Sequence, residues 1–221
     1  MTFGALTSLQ SAADDGGMTR PRLYLVRHGE TDWNAEGRLL SVTDRPLDDH
    51  GERQAATLAV DLVGIRWDRA ISSPLVRARR TAEILLSARQ DSPSLSIDDR
   101  LREMDFGPYE GWSEAELEAD PVAATRRRDG AQLPGVEPEE AVAERARSFL
   151  ASMSDVGGTT LVVGHGRMLR ILMAVALGLP ASFSQSLRMR NCRPAVLEPG
   201  PRPLLLALNA GDPSFEARLE S

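Results

Sequence analysis

Arg27-His28-Gly29-Glu30-Thr31 follows directly on the apolar run Leu23-Tyr24-Leu25-Val26. A guanidinium and an imidazole therefore stand side by side where a buried strand opens into a glycine loop. An imidazole with one unprotonated ring nitrogen is a nucleophile, and its ordinary pKa near 6.5 keeps it available at neutral pH. The chain has 3 histidines, and another of them, His165, sits between Gly164 and Gly166 after the run Thr159–Val163. Alone, either histidine reads as a satisfied, half-buried side chain. Two glycine-flanked histidines, each at the end of an apolar run, point instead to one shared pocket.

Attack by His28 on phosphorus sets requirements for the rest of the chain. A phosphate monoester is close to a dianion at neutral pH, so its pocket needs positive charge and several donors. Arg27 supplies one guanidinium, and Arg77 a second, on a helix opened by Pro74 in its first turn. There Arg77 joins the helix's N-terminal donors, and its planar fork suits two phosphate oxygens. Arg79 and Arg80 turn to other faces and read as solvated surface. In-line attack would leave a phosphohistidine, which splits hydrolysis into two steps. Neighbouring arginines hold His28 towards its neutral form. Phosphoryl transfer is catalysed mainly by positioning and positive charge, so Arg27, Arg77 and His165 suffice without a metal. No tight carboxylate or His/Cys cluster of ligand type is present, and no metal or cofactor is expected. The leaving alkoxide needs a proton, and Leu101-Arg102-Glu103-Met104-Asp105-Phe106-Gly107 offers Glu103 and Asp105. A carboxyl beside a dianion and away from water favours its protonated form, which suits a general acid that later activates water. Position does not separate the two.

Short apolar runs alternate with longer amphipathic ones, the pattern of an α/β chain built from βαβ units around a mainly parallel sheet. The runs predict strands at Arg22–Arg27, Trp67–Ile71, Ser94–Ile97 (an edge), Thr159–Val163 and Pro203–Leu208. The periodicity predicts helices at Gly51–Leu62, Leu75–Leu86, Glu139–Met153 and Met168–Leu177. Arg27-His28, Ser72-Ser73 and His165 then fall at carboxyl ends of strands, the edge where open parallel sheets bind ligands. Residues 106–138 break the rhythm with Gly, Pro, Glu and Arg and read as an insertion over the sheet. Ser113 and Glu116 predict a capping box opening a short helix within it.

Residues 1–20 read as a flexible tail and 21–221 as one domain, with Met18 as an alternative start. The 221 residues carry a net charge of −6, which argues against nucleic-acid binding. All 26 basic residues are arginine, a bias that codon composition explains more simply than function. Cys192 stands alone, which excludes an internal disulfide and a cysteine-based metal site and fits a reducing cytoplasm. No run approaches membrane-spanning length, and the first 20 residues lack a signal-peptide pattern. The expected partner is a small phosphorylated metabolite in the cytoplasm. The oligomeric state stays open, a homodimer included.

Together these residues resemble the histidine phosphatase superfamily, in its phosphoglycerate-mutase-like branch. Leu25-Val26-Arg27-His28-Gly29-Glu30-Thr31-Asp32-Trp33-Asn34 is similar to its nucleophile motif, and Asp44-Arg45-Pro46-Leu47 with Gly51 and Gln54-Ala55 to its next segment. Ser73-Pro74-Leu75-Val76-Arg77-Ala78 with Thr81-Ala82 resembles the second-arginine motif. Leu101-Arg102-Glu103 with Gly107, Glu110 and Gly111 resembles the acid-bearing segment, and Val163-Gly164-His165-Gly166 the second-histidine motif. The resemblance implies a three-layer α/β/α sandwich with a mostly parallel sheet, capped by 106–138. It implies His28 as the phosphorylated nucleophile and Glu103, not Asp105, as the proton donor. Arg27, Arg77, His165 and Gly166 would form the phosphate pocket, with Asn34 as a further contact. Ser41, Arg167 and the stretch Pro134-Gly135-Val136-Glu137-Pro138 depart from the usual pattern, which bears on substrate choice rather than chemistry. Mutases of this family carry a longer insertion with extra basic and aromatic residues. Here Arg126-Arg127-Arg128 is the only basic run in it and reads as a solvated helix face. A phosphatase is therefore expected, with a phosphoglycerate-mutase-type phosphoryl transfer as the alternative. A non-catalytic module that only holds phosphorylated ligands ranks below both.

Overall fold

The computed structural model describes residues 21–153 and 157–211. The predicted tail at 1–20 lies outside them, as does the end of the predicted domain. Six strands, β1 (Pro21–Arg27), β2 (Arg69–Ser72), β3 (Leu95–Ile97), β4 (Gly158–Gly164), β5 (Ala195–Glu198) and β6 (Leu204–Ala207), form one sheet in the order β3-β2-β4-β1-β5-β6. β1, β4, β2 and β3 pair in parallel, whereas β5 runs antiparallel to β1 and to β6. β3 is an edge strand, as its sequence predicts.

Alternation along the central strands sends side chains to two separate cores. Leu23 and Leu25 of β1 and Val162 of β4 face a cluster completed by α6 (Glu139–Met153) and α7 (Gly166–Ala176). Tyr24 and Val26 of β1, with Leu161 and Val163 of β4, face the cluster completed by α2 (Asp49–Asp61) and α3 (Val76–Ser87). The α/β/α layering thus follows from the period of two in β1 and β4. Fully burying a large side chain such as Leu169, Ile171 or Leu172 of α7 contributes about 1.5–3 kcal/mol each.

Several boundaries differ from the sequence prediction. Trp67 precedes β2 and packs edge-on against Tyr24, with ring centroids 5.2 Å apart. Pro74 lies outside α3, whose N-cap is Leu75. Since leucine cannot cap, Asp44 does so from a distant loop, accepting from Val76 N–H at 2.6 Å. α7 begins at Gly166 rather than Met168, with His165 as N-cap. The remaining short helix near the site is α1 (Asp32–Ala35), capped by Thr31. β5 has no counterpart in the sequence reading. It is four residues long, buried on both faces and bounded by Pro194 and Pro199, so no alternation marks it.

The segment 106–138 contains two short helices, α4 (Glu114–Ala119) and α5 (Pro121–Arg128). Ser113 and Glu116 form the expected capping box. Backbone bonds from Leu39 N–H to Trp112 O (2.9 Å) and from Gly111 N–H to Leu39 O (2.8 Å) tie this segment to the chain after α1.

Candidate active site

The parallel register aligns Arg27 with Gly164 and Ser72 with Val163. The next residue of each strand therefore leaves the sheet in one row: His28, His165 and Ser73. His28 N–H still donates to Gly164 O and Ser73 N–H to Val163 O, both at 3.0 Å, so the row is held by continued ladder bonds. Gly29 then passes so close to α2 that a Cβ there would lie 2.5 Å from Gly51 O, which only glycine avoids.

His28 is buried, and its Nδ1 lies 2.7 Å from Gly29 O. A carbonyl can only accept, so Nδ1 carries the proton and Nε2 keeps its lone pair. The ring of His165 stands 5.2 Å away, centroid to centroid. Its Nε2 meets Ser73 Oγ at 2.7 Å, and its Nδ1 is buried without a partner. Arg27 Nε and Arg77 Nε are likewise buried and unpartnered. Each such group costs about 1–3 kcal/mol unless something meets it, and a tetrahedral oxyanion has the acceptors to do so.

Arg77 is fully buried on α3, one turn from Thr81, and Thr81 Oγ accepts from Gly29 N–H at 3.0 Å. Its guanidinium does not join the donors of its own helix, as the sequence suggested. It reaches across to Thr43 O (2.9 Å) and Ser41 O (2.6 Å). Glu110 shapes that loop by accepting from Ser41 N–H at 2.9 Å and Thr43 N–H at 2.8 Å. Burial lowers the Arg77 pKa to about 10, which leaves it cationic at neutral pH. Arg27 donates from Nη1 to Met189 O at 3.1 Å and packs over Gly166, where a Cβ would lie 3.4 Å from its Nε.

Glu103 follows a 3-10 turn at Asp99–Leu101. Its Oε1 accepts from Met104 and Met168 N–H, each at 2.9 Å, and its Oε2 from Arg167 N–H at 3.1 Å. The early start of α7 presents those last two donors, and the carboxylate suits the positive helix end. Asp105 is exposed and spends its Oδ1 on Gly107 N–H at 2.8 Å. Glu103, Arg27, Asn34 and Gly166 line a cavity of about 850 Å³, bounded also by Phe106 and by the stretch Arg188-Met189-Arg190-Asn191.

Residues 23–209 match the family model described as histidine phosphatase superfamily (branch 1). The chain belongs to this family. A relative named "Probable phosphoglycerate mutase GpmB" from Salmonella choleraesuis is 38% identical over 178 residues, covering 77% of this chain and 81% of the relative. The alpha-ribazole phosphatase of Shigella flexneri is similar in structure, with a TM-score of 0.76 and 30% identity over 86% of this chain and 96% of its own. A mycobacterial glucosyl-3-phosphoglycerate phosphatase, solved with VO3, gives 0.77 and 30% over 87% and 100%.

In this histidine phosphatase Arg27, Glu103, Asn34 and Gly166 line the cavity, while His28, His165 and Arg77 are buried and are not among its lining residues. Sequence reasoning missed Asn191, which donates from Nδ2 to His28 O at 2.8 Å and to Asn34 Oδ1 at 3.4 Å. A sequence signal was weak: one asparagine before Cys192, whose φ of 49° marks a constrained turn. Ser73, expected at a strand end, and Thr81, expected only within the second-arginine motif, hold His165 and Gly29 in place. Ser41 keeps a role of its own, since its Oγ accepts from Phe106 N–H at 3.2 Å and joins the loop to the segment above.

Burial, then Arg77 and Arg27, hold His28 well below the usual 6.5. Burial, Arg77, His28 and Arg27 do the same to His165. Below pH 6.5 the unfolded chain binds protons at these sites that the folded chain refuses. Stability is thus nearly complete above about pH 6.5 and falls as pH drops towards the folded-state values. Melting curves between about pH 6.5 and 5.5 are expected to show a shallower decline for His165→Asn than for the native chain. Equal slopes would contradict the neutral pair.

Proposed function

We propose that this histidine phosphatase hydrolyses small phosphomonoesters through a phosphohistidine on His28. The observation that carries this reading is the Nδ1 bond to Gly29 O, which leaves Nε2 as a neutral nucleophile among Arg27, Arg77 and His165. Nε2 attacks phosphorus in line as the ester P–O bond breaks. Arg27, Arg77 and His165 meet the equatorial oxygens with the donors that have no other partner. Protonated Glu103 gives its proton to the leaving oxygen. Its Oε2, with one bond to the protein, has more spare capacity than Oε1, with two. Glu103 then takes a proton from water, the hydroxide attacks phosphorus, the P–N bond breaks and His28 is restored. Asn34 and Gly166 complete the substrate wall, and 106–138 acts as the cap. We place the enzyme in the cytoplasm, with no nucleic-acid partner. Among the described residues no helix is long and apolar enough to cross a membrane.

The name of the Salmonella relative favours a mutase as the second reading. The cap argues the other way. Arg126, Arg127 and Arg128 on α5 are exposed, and Arg127 pairs with Glu114 instead of lining the cavity. With 3-phosphoglycerate and its bisphosphate primer, phosphate release is expected to outrun isomerisation. Faster isomerisation would reverse the assignment to hydrolysis.

A further inference from the structure

Ser41 and Thr43 are held from two sides. Their carbonyls accept from the Arg77 guanidinium, Ser41 O from Nη2 at 2.6 Å and Thr43 O from Nη1 at 2.9 Å. Their N–H groups both donate to a single atom, Glu110 Oε1, at 2.9 and 2.8 Å. The two residues thus stand between a buried cation and a carboxylate from the segment 106–138. No step of the proposed reaction uses Glu110, although it belongs to the acid-bearing stretch that the sequence singles out.

The stretch between them and their surroundings gives Glu110 its leverage. Residues 39–47 carry no helix or strand, and Val42, Thr43 and Asp44 are exposed. Such backbone has no ladder of its own to fix where its carbonyls point. Phe106 N–H and Val76 N–H also tie it down, but they end on the side chains of Ser41 and Asp44. The peptide groups of Ser41 and Thr43 are set by Glu110 on the N–H side, with Arg45 N–H also meeting Thr43 O at 3.1 Å.

The consequence falls on Arg77. A guanidinium carries five N–H donors in one plane. Two carbonyls fix that plane and leave the buried, unpartnered Nε and the remaining Nη hydrogens for an oxyanion. Donors set in place beforehand carry much of the catalysis in phosphoryl transfer. Glu110 is also one of three carboxylates, with Glu103 and Asp44, whose charge counters the burial of Arg77.

We propose that Glu110 is a positioning residue: by holding the N–H groups of Ser41 and Thr43, it sets the two carbonyls that orient the Arg77 guanidinium for the phosphoryl group. This rests on the phosphomonoesterase reading, in which Arg77 meets the equatorial oxygens. It makes 106–138 part of the phosphate pocket as well as its cap.

The arrangement separates bonding from charge. Both N–H groups meet Oε1, so Glu110→Gln can keep both bonds through its amide oxygen while losing the charge. Glu110→Ala loses bonds and charge together. Inorganic phosphate is titrated calorimetrically into the full chain and its variants. On the same samples kcat and KM are measured for p-nitrophenyl phosphate, with melting curves to give the folded fraction. Glu110→Ala is expected to weaken phosphate binding about tenfold and to lower kcat/KM roughly 10–100-fold. Glu110→Gln is expected to stay within about threefold of the native chain on both. The double variant Arg77→Met, Glu110→Ala is expected to match Arg77→Met within about twofold, because a residue that works through Arg77 has nothing left to position. A residue that only stabilises the fold would instead multiply its loss. Where replacing buried Arg77 unfolds the chain, crystal structures of the two Glu110 variants read the geometry directly. The guanidinium is expected off Ser41 O and Thr43 O in the alanine variant and on them in the glutamine variant.

Equal losses in the two Glu110 variants assign the effect to charge and overturn the proposal. Multiplying losses in the double variant, or native phosphate affinity in Glu110→Ala, also overturn it and leave the phosphatase reading standing. Undiminished phosphate binding in Arg77→Met removes Arg77 from the pocket, and the proposal with it. A native chain that neither hydrolyses the ester nor binds phosphate overturns the phosphatase reading and the positioning role together.

Discussion

Replacement of His28 by asparagine is expected to lower turnover of an aryl phosphate by roughly 10³-fold or more, with the fold retained. The amide can still accept or donate locally but cannot bond to phosphorus and leave again. Three separate constraints act on the His28 ring. Gly29 O takes the Nδ1 proton, Asn191 fixes the backbone carbonyl, and burial with Arg77 and Arg27 keeps the ring neutral. Acid-quenched native enzyme should carry an acid-labile, base-stable phosphate that is missing from the variant. Undiminished turnover in the variant would sink the mechanism.

Glu103→Gln should lose roughly 10²–10³-fold on an alkyl phosphate and far less on p-nitrophenyl phosphate, whose leaving group needs little protonation. The carboxylate has a second task, since it accepts from Met104, Arg167 and Met168 at the start of α7. Glutamine retains one acceptor oxygen, so an amide N–H₂ would face at least one of those donors. A stability loss of about 1–3 kcal/mol is expected from that mismatch alone. Melting curves measure the structural part, and the ratio of losses on the two esters measures proton donation. Equal losses would make Glu103 a residue that holds the helix and the site rather than the acid.

Much of this molecule is written in local patterns. The apolar runs of β1 and β4 and the spacing in α2, α3, α6 and α7 depend on neighbours two, three or four residues away, which sequence displays directly. The same runs place His28, Ser73 and His165 at strand ends, so the row of reactive residues is legible before any folding. The Ser113–Glu116 box is equally local. Short β5 escaped because a strand buried on both faces shows no alternation, and its pairing partner β1 lies far away in the chain.

The different surroundings of Glu103 and Asp105 arise in space. Two of the three donors that hold Glu103 come from Arg167 and Met168, at the opposite end of the fold's long crossover. Arg77 likewise looked like a helix-end donor from its position, and its guanidinium instead crosses to Ser41 and Thr43, while Asp44 caps that helix. Asn191 gained its place only when the C-terminal segment folded back over β1. Sequence alone determined the strand ends, the sheet edge and the family, because these rest on short-range pattern. Tertiary structure decided the tautomer of His28 and the partner of each guanidinium, because hydrogen bonds and burial are set by residues that meet only in the folded chain.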